Sequence, residues 1–321
     1  MDKVLYFDVV LKERLWGGKT LAGKYGKQTD ARIGEAWILS GHQEGQSIVR
    51  KGTYEGRRLN DLYLNEKQLF GETFKEKFPL LIKVLDAQKW LSVQVHPNDL
   101  YAKKHHNDFG KNECWYVLDA KKDASIIYGQ KAPTKEAMKE AIDNRLWDDV
   151  LNYIPVKKDD FFDVPVGTVH AIGEGIEILE IQQSSDVTYR LYDFDRTDKD
   201  GKKRDLHIEE SLEVIDYDVR GPKHKTKNFK DVTRYVSNQY FTVDKLKFTK
   251  ETIVLNGTKL YTILFAKDAP ATIEINDRKY QINKDEAVLV LADADDFKVC
   301  EGGSLFIIKE RSLQLETMYQ M

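Results

Sequence analysis

With 321 residues, the chain is long enough for two domains of ordinary size, each with its own core, and is not a small scaffold that needs covalent staples. Lys and Arg number 50 against 53 Asp and Glu, a formal net charge of -3; no global field recruits nucleic acid or anionic lipid, and any phosphate must be held by local cations. Two cysteines, Cys114 and Cys300, make no disulfide framework and suit a reducing compartment, while the opening residues hold no signal-peptide run and no segment reaches membrane-spanning length; the expected location is the cytoplasm, with no membrane contact.

In chain order, Val4 to Val10 reads as a strand. The Gly18-Lys19-Thr20 beyond it is not a phosphate loop, because the glycine required five positions before Gly18 is Glu13. Arg14-Leu15-Trp16-Gly17-Gly18 and the run from Ile33 through Gly34-Glu35-Ala36-Trp37 to His42 stand out as landmarks, and His42 reads as a histidine that caps or packs. Asn60 is placed to cap a helix over 61–70, with Gly71 as its stop signal. Pro79 to Ala87 reads as a buried strand carrying Lys83; an isolated ammonium is costly to desolvate, so this lysine either has an anionic partner or lies on an exposed edge.

From Trp90 to Asp99, alternation along a strand puts Leu91, Val93 and Val95 on one side and Ser92, Gln94 and His96 on the other. Taken alone this fits a surface strand with its polar face in water. Residues 99–106 follow as a short helix whose neighbouring His105 and His106 do not share a face and make a poor chelate. Between Lys111 and Leu118 the same period places Lys111, Glu113 and Trp115 together, with Cys114 packing on the other side. Residues 134–151 carry Met138, Ile142, Leu146 and Val150 at four-residue spacing, the apolar stripe of an amphipathic helix. Phe161 to His170 is an apolar approach, a Pro165-x-Gly167 turn and a histidine that opens the next strand.

Three short strands thus each offer a ligand. Zinc and related ions take imidazole nitrogen and carboxylate oxygen at about 2.0 to 2.2 Å, and catalytic sites keep one position for water or substrate. Gln94, His96, Glu113 and His170 are the candidate shell. Further on, Ile176, Ile178, Glu180 and Gln182 share a strand face, and Arg190 follows within 188–192; Glu180 and Arg190 read either as a cross-strand ion pair or as an acid-base group and an electrophile beside the metal. The D-x-D-G within 193–205 is a hairpin turn and not a calcium loop, since the first and twelfth positions fall on Arg196 and His207. Residues 207–215 look helical, and Arg220 to Lys227 is a basic connector. From Tyr240 onward the pattern is β throughout and contains no histidine, so it cannot repeat the metal shell; Asp293, Asp295 and Asp296 mark a solvated loop.

Q-x-H, a later Glu and then P-x-G-x-x-H resembles the metal-binding strands of cupins. Within cupins, FPLLIKVLDA (78–87), LSVQVHPND (91–99), GKNECWYVLDA (110–120), VPVGTVHAIG (164–173) and the run from Leu179 through QQSSD (182–186) to Tyr189-Arg190 resemble class I mannose-6-phosphate isomerases in their short bacterial form. These motifs occur in the family's order. The resemblance implies a mainly β protein of two cupin-like jelly-roll β-barrel domains: 1–225 catalytic, with small helical segments, and 236–321 without metal ligands. It further implies one zinc per chain on Gln94, His96, Glu113 and His170. Arg190 and Lys111 would be catalytic, with Glu180 as acid-base candidate, and Lys83 and Ser92 would lie at the substrate phosphate. The partner is then a small-molecule sugar phosphate, and the reaction interconverts mannose 6-phosphate and fructose 6-phosphate through an enediol. Two alternatives stay open on spacing alone: a metal-containing cupin that binds a sugar or sugar nucleotide without catalysis, and a cupin oxygenase with iron on His96, Glu113 and His170.

Overall fold

The structure, a computed structural model, describes residues 2–71, 75–198, 200–222, 225–247, 252–254, 259–294, 296–301 and 303–311. Asp295 of the expected acidic loop lies outside them. The first expected strand is two short pieces separated by residues 7–9, β1 (Val4–Tyr6) and the start of β2 (Val10–Gly18). α1 (Thr20–Lys24) and β3 (Ile33–Ser40) follow.

The helix expected over 61–70 is broken into α2 (Leu59–Asn65) and α3 (Lys67–Phe70), because Glu66 leaves helical geometry at φ -124 and ψ 53. Asn60 does not cap it: the residue sits inside α2, and its Oδ1 accepts from the Phe78 amide at 2.8 Å. Gly71 does close α3, at φ 84. Next come β4 (Leu80–Ala87), β5 (Val93–Val95) and α4 (Asp99–His106), the last capped by Asn98 Oδ1 on the Tyr101 amide at 2.9 Å. β6 (Glu113–Ala120) and β7 (Ser125–Gln130) precede a second broken helix, α5 (Lys135–Asp143) and α6 (Trp147–Val150). There Arg145 takes φ 58 and turns the chain, leaving Leu146 48% exposed while Met138 and Val150 are buried, so the predicted four-residue stripe is not continuous. β8 (Leu151–Pro155), β9 (Phe161–Val164), β10 (His170–Ile172), β11 (Ile176–Gln183), β12 (Tyr189–Tyr192) and α7 (Ile208–Val214) complete this part.

The remaining described residues form strands only: β13 (Lys227–Phe229), β14 (Val232–Ser237), β15 (Phe241–Lys247), β16 (Thr252–Val254), β17 (Thr262–Ala266), β18 (Ala271–Ile275), β19 (Arg278–Ile282), β20 (Ala287–Val290), β21 (Phe297–Glu301) and β22 (Ser304–Glu310).

Contacts divide the chain into two compact units, one of Leu11–Trp37 with Ile82–His224, the other of Met1–Val10, Ile38–Leu81 and Lys225–Met321. The division therefore falls within β3 and β4 as well as near residue 225, where the sequence suggested a single linear boundary. The unit of Met1–Val10, Ile38–Leu81 and Lys225–Met321 has a seven-stranded sheet, β1-β20-β17-β22-β15-β14-β13, and a four-stranded one, β16-β21-β18-β19, around a core that includes Leu264, Ile273, Val288, Phe297 and Leu305.

The other unit has a six-stranded sheet, β2-β3-β4-β11-β6-β9, and a five-stranded antiparallel sheet, β12-β5-β10-β7-β8. One apolar cluster joins them, with Leu85, Trp115 and Ile178 from the first sheet and Ile126, Tyr128 and Ile172 from the second. A second cluster covers the other face of the five-stranded sheet, where Val93, Val95, Ala171 and Leu191 meet Met138 of α5 and Leu212 of α7. Strand parity then turns Gln94 and His170 toward the space between the sheets. Leu91 departs from the predicted alternation: it precedes β5 and packs in the cluster between the sheets, not beside Val93 and Val95. The whole is mainly β and cupin-like, and no helix among the described residues is long and apolar enough to cross a membrane.

The two landmark motifs near the N-terminus have a steric basis. A Cβ on Gly17 would lie 2.4 Å from the Gly34 nitrogen, and one on Gly34 would lie 2.6 Å from the Trp16 ring, so β2 and β3 press together only with glycine at both places. Gly17→Ala is expected to cost about 1–3 kcal/mol through overpacking, seen as a lower urea midpoint; an unchanged midpoint would show that the backbones are free to separate.

Candidate active site

Within the unit of Leu11–Trp37 and Ile82–His224, a cleft of about 490 Å³ is lined by all six of the predicted residues Lys83, Ser92, Gln94, Lys111, Glu180 and Arg190. His96, Glu113 and His170 are buried, and their ligand atoms lie within 4.8 Å of one another. The two sheets divide the work. Register across the five-stranded sheet sets Arg190 opposite Gln94 and Gln94 opposite His170. In the six-stranded sheet, Glu180 stands opposite Trp115.

The tautomers of both histidines follow from their surroundings. His96 Nδ1 is 3.0 Å from the Val187 carbonyl and His170 Nδ1 is 2.9 Å from the Thr168 carbonyl, so each Nδ1 carries the proton and donates it. Each Nε2 lone pair is then left facing the centre, where His96 Nε2 is 3.5 Å from Glu113 Oε2 and His170 Nε2 is 3.4 Å from Glu113 Oε1. Burial and the Lys111 charge push the His96 value well below the ordinary one, and burial brings His170 down to about 4, so both rings are neutral near pH 7. Gln94 reaches within 3.2 Å of His170 Nε2 with its amide, whose oxygen and nitrogen exchange by a half-turn.

This donor set fits a divalent cation. Two neutral imidazoles and a carboxylate, each imidazole oriented from behind by a backbone carbonyl, are the ligands and the outer support that zinc takes. The Lys111 ammonium already stands 2.9 Å from both His96 Nε2 and Glu113 Oε2. An ammonium only donates, so His96 Nε2 is serving a cation as an acceptor. Lys111 is out of line for a hydrogen bond to Glu113 Oε2, which is buried without any hydrogen bond.

Around this centre lie residues to which the sequence assigned no role. Arg14 and Glu35 line the cleft beside Lys83, as do Thr188, Asp186 and Arg204 beside Arg190. Arg14 grips Glu35 with Nε at 2.7 Å and Nη2 at 3.1 Å. Lys83 Nζ is 3.2 Å from Glu180 Oε2 and 3.9 Å from Glu35 Oε2. Burial alone would lower the Lys83 value, but Glu180 and Glu35 outweigh it and raise it, so the ammonium persists. For Glu180, burial and the charge of Glu113 prevail over Lys83 and hold its carboxyl above the ordinary value. Its Oε1 accepts from Trp115 Nε1 at 3.1 Å, the same indole that donates to Glu113 Oε1.

Of the two readings open for Glu180 and Arg190, the ion pair between them does not form. Glu180 pairs with Lys83, and Arg190 has no ion pair among the described residues: its Nη1 donates to the Asp205 carbonyl at 2.8 Å and its buried Nε has no partner. Nearby, Asp193 accepts from both Arg204 and Arg196. Arg190 lies in the field of these two guanidiniums, with the carboxylates of Asp193, Asp205 and the cleft-lining Asp186 set among them.

Residues 4–127 match the family described as "Phosphomannose isomerase type I, catalytic domain". Mannose-6-phosphate isomerase ManA of Bacillus subtilis is 42% identical over 92% of this chain and 95% of its own length. Mannose-6-phosphate isomerase of Streptococcus mutans is 40% identical over 90% and 93%. A crystal structure of mannose 6-phosphate isomerase from Bacillus subtilis superposes with a TM-score of 0.90 at 32% identity, covering 96% of this chain and 100% of that one. With that identity carried over nearly the whole of both chains, and the same fold, this chain belongs to the type I mannose-6-phosphate isomerase family, a family of enzymes.

Proposed function

We propose that the chain interconverts mannose 6-phosphate and fructose 6-phosphate, with one zinc per chain on Gln94, His96, Glu113 and His170. The observation that carries this reading is the pair of neutral imidazoles whose lone pairs meet a buried carboxylate beside a cation-lined cleft. When bound, the metal acts as a Lewis acid toward the sugar oxygens on carbons 1 and 2.

The residues of the chain supply the rest. Isomerisation removes the proton from carbon 2 of the aldose, gives an enediol, and returns a proton to carbon 1. Glu180 lines the cleft with a raised value and is the candidate base for both transfers. Arg190 and Lys111, both lining the cleft, are the cations for the charge that builds on the sugar oxygens as the proton leaves, Lys111 once the metal has taken its place on His96 Nε2. Arg190 is suited to this because no carboxylate pairs with its guanidinium among the described residues.

Lys83 and Ser92 hold the substrate. The sequence reading placed both at the phosphate. The Lys83 ammonium is, however, already matched by two carboxylates, an environment better suited to a sugar hydroxyl or carbonyl oxygen than to a dianion. Arg204 lines the same cleft and shares its carboxylate partner, Asp193, with Arg196, which makes it the better place for the phosphate. Fixing that end determines which carbon meets the base.

Two outcomes test this. In a coupled assay, chelator-stripped protein is expected to lose mannose 6-phosphate isomerisation and regain it with zinc; His170→Ala is expected to lose metal, measured by elemental analysis, and full metal content would remove His170 from the shell. Arg190→Ala is expected to keep its fold and metal while kcat falls by about 10²–10³, the range for losing one preorganised donor to developing charge; a kcat within a few-fold of the parent would take Arg190 out of the reaction.

A further inference from the structure

Four neighbouring strands of the six-stranded sheet, β2, β3, β4 and β11, each place one charged side chain in a single row along the cleft: Arg14, Glu35, Lys83 and Glu180. The charges alternate, and the row ends on Trp115 of β6, whose indole donates to Glu180. The member with the most restraints is Glu35. Arg14 holds both of its oxygens, Trp37 Nε1 donates to Oε2 at 2.7 Å, and the Lys83 and Arg14 charges overcome burial to hold its value at about 2.

That restraint bears on Lys83. Its ammonium pairs with Glu180 at 3.2 Å and, if nothing pulled from the other side, would turn its remaining hydrogens toward that carboxylate as well. Glu35 pulls from 3.9 Å, too far for a hydrogen bond, and is prevented by Arg14 and Trp37 from swinging closer. It therefore acts on Lys83 through charge and leaves ammonium hydrogens unused on that side. A second carboxylate that could move would simply bind the lysine; one that is pinned holds it at a distance.

We propose that Glu35, clamped by Arg14 and Trp37, is a positioning residue for the isomerisation, holding the Glu180-paired Lys83 ammonium so that its remaining hydrogens are turned to a substrate oxygen. This rests on the reading of Lys83 as a substrate-binding residue.

Steady-state kinetics on the zinc-loaded enzyme test it with Glu35→Gln, Lys83→Met, the double variant and Arg14→Gln. Glu35→Gln is expected to raise KM for mannose 6-phosphate about tenfold with kcat changed less than about threefold, the pattern of lost uniform binding. Combined with Lys83→Met it is expected to add nothing, because both act through one ammonium. Arg14→Gln, which leaves Glu35 in place but unclamped, is expected to shift KM in the same direction by less, and it carries the test if Glu35→Gln fails to fold. A merely structural role would lower kcat through loss of active enzyme at unchanged KM, and the losses would multiply in the double variant; either result overturns the proposal. If Lys83→Met raises KM and Glu35→Gln does not, the positioning role is wrong while the role of Lys83 stands. If Lys83→Met itself leaves KM unchanged, the reading of Lys83 fails first.

Discussion

The cost of taking charge out of water governs how this site is built. Lys83, Lys111, Glu35, Glu113 and Glu180 are each under 8% exposed, and any one of them alone would give up its charge or destabilise the fold. For Glu35, Lys83 and Glu180 the protein meets that cost by alternation across adjacent strands, and for Glu113 by Lys111 two residues before it. The histidines meet it by the other route: they stay neutral, and each spends its one N–H on a backbone carbonyl. Ion pairs and neutral donors thus occupy the same small volume under different rules, and the boundary between them is Lys111, which touches both.

The two sheets contribute differently to the chemistry. The five-stranded sheet carries Arg190, Gln94 and His170 in register, and its opposite face is packed against α5 and α7, so this row is backed by a helical layer. The six-stranded sheet carries the alternating row of charge. Side chains on regular strands with packed backs have little freedom to reorganise, which is what electrostatic stabilisation of a transient charge requires.

Much of this was legible in the sequence because strand alternation is a rule of geometry: it placed Gln94 with His96, and Glu113 with Lys111 and Trp115. The limits were equally physical. Alternation was carried back to Leu91, where the strand had not yet begun. The helix over 61–70 follows from cap and stop signals and the one over 134–151 from apolar spacing, neither of which registers a backbone leaving helical geometry at Glu66 or Arg145. Arg14 and Glu35 hold each other across 21 residues, which no local alternation links, although the reasoning applied to Lys83, a charge inside an apolar strand, holds equally for Glu35 between Ile33 and Leu39. Glu180 and Arg190 illustrate the converse: they are near in sequence, yet each has its own partners.

The division of the chain also sets an order of events during synthesis. Val4 of β1 pairs with Val290 of β20, so β1 leaves the ribosome long before the strand that becomes its neighbour. Until then its hydrogen-bonding edge is open, and such long-range pairing closes slowly. The unit of Leu11–Trp37 and Ile82–His224 is not bound by that delay, since every residue of its cleft and all four metal-ligand candidates have been made before β13 begins. The unit that holds the cleft has its full complement of cleft residues while the other is still waiting for its closing strands.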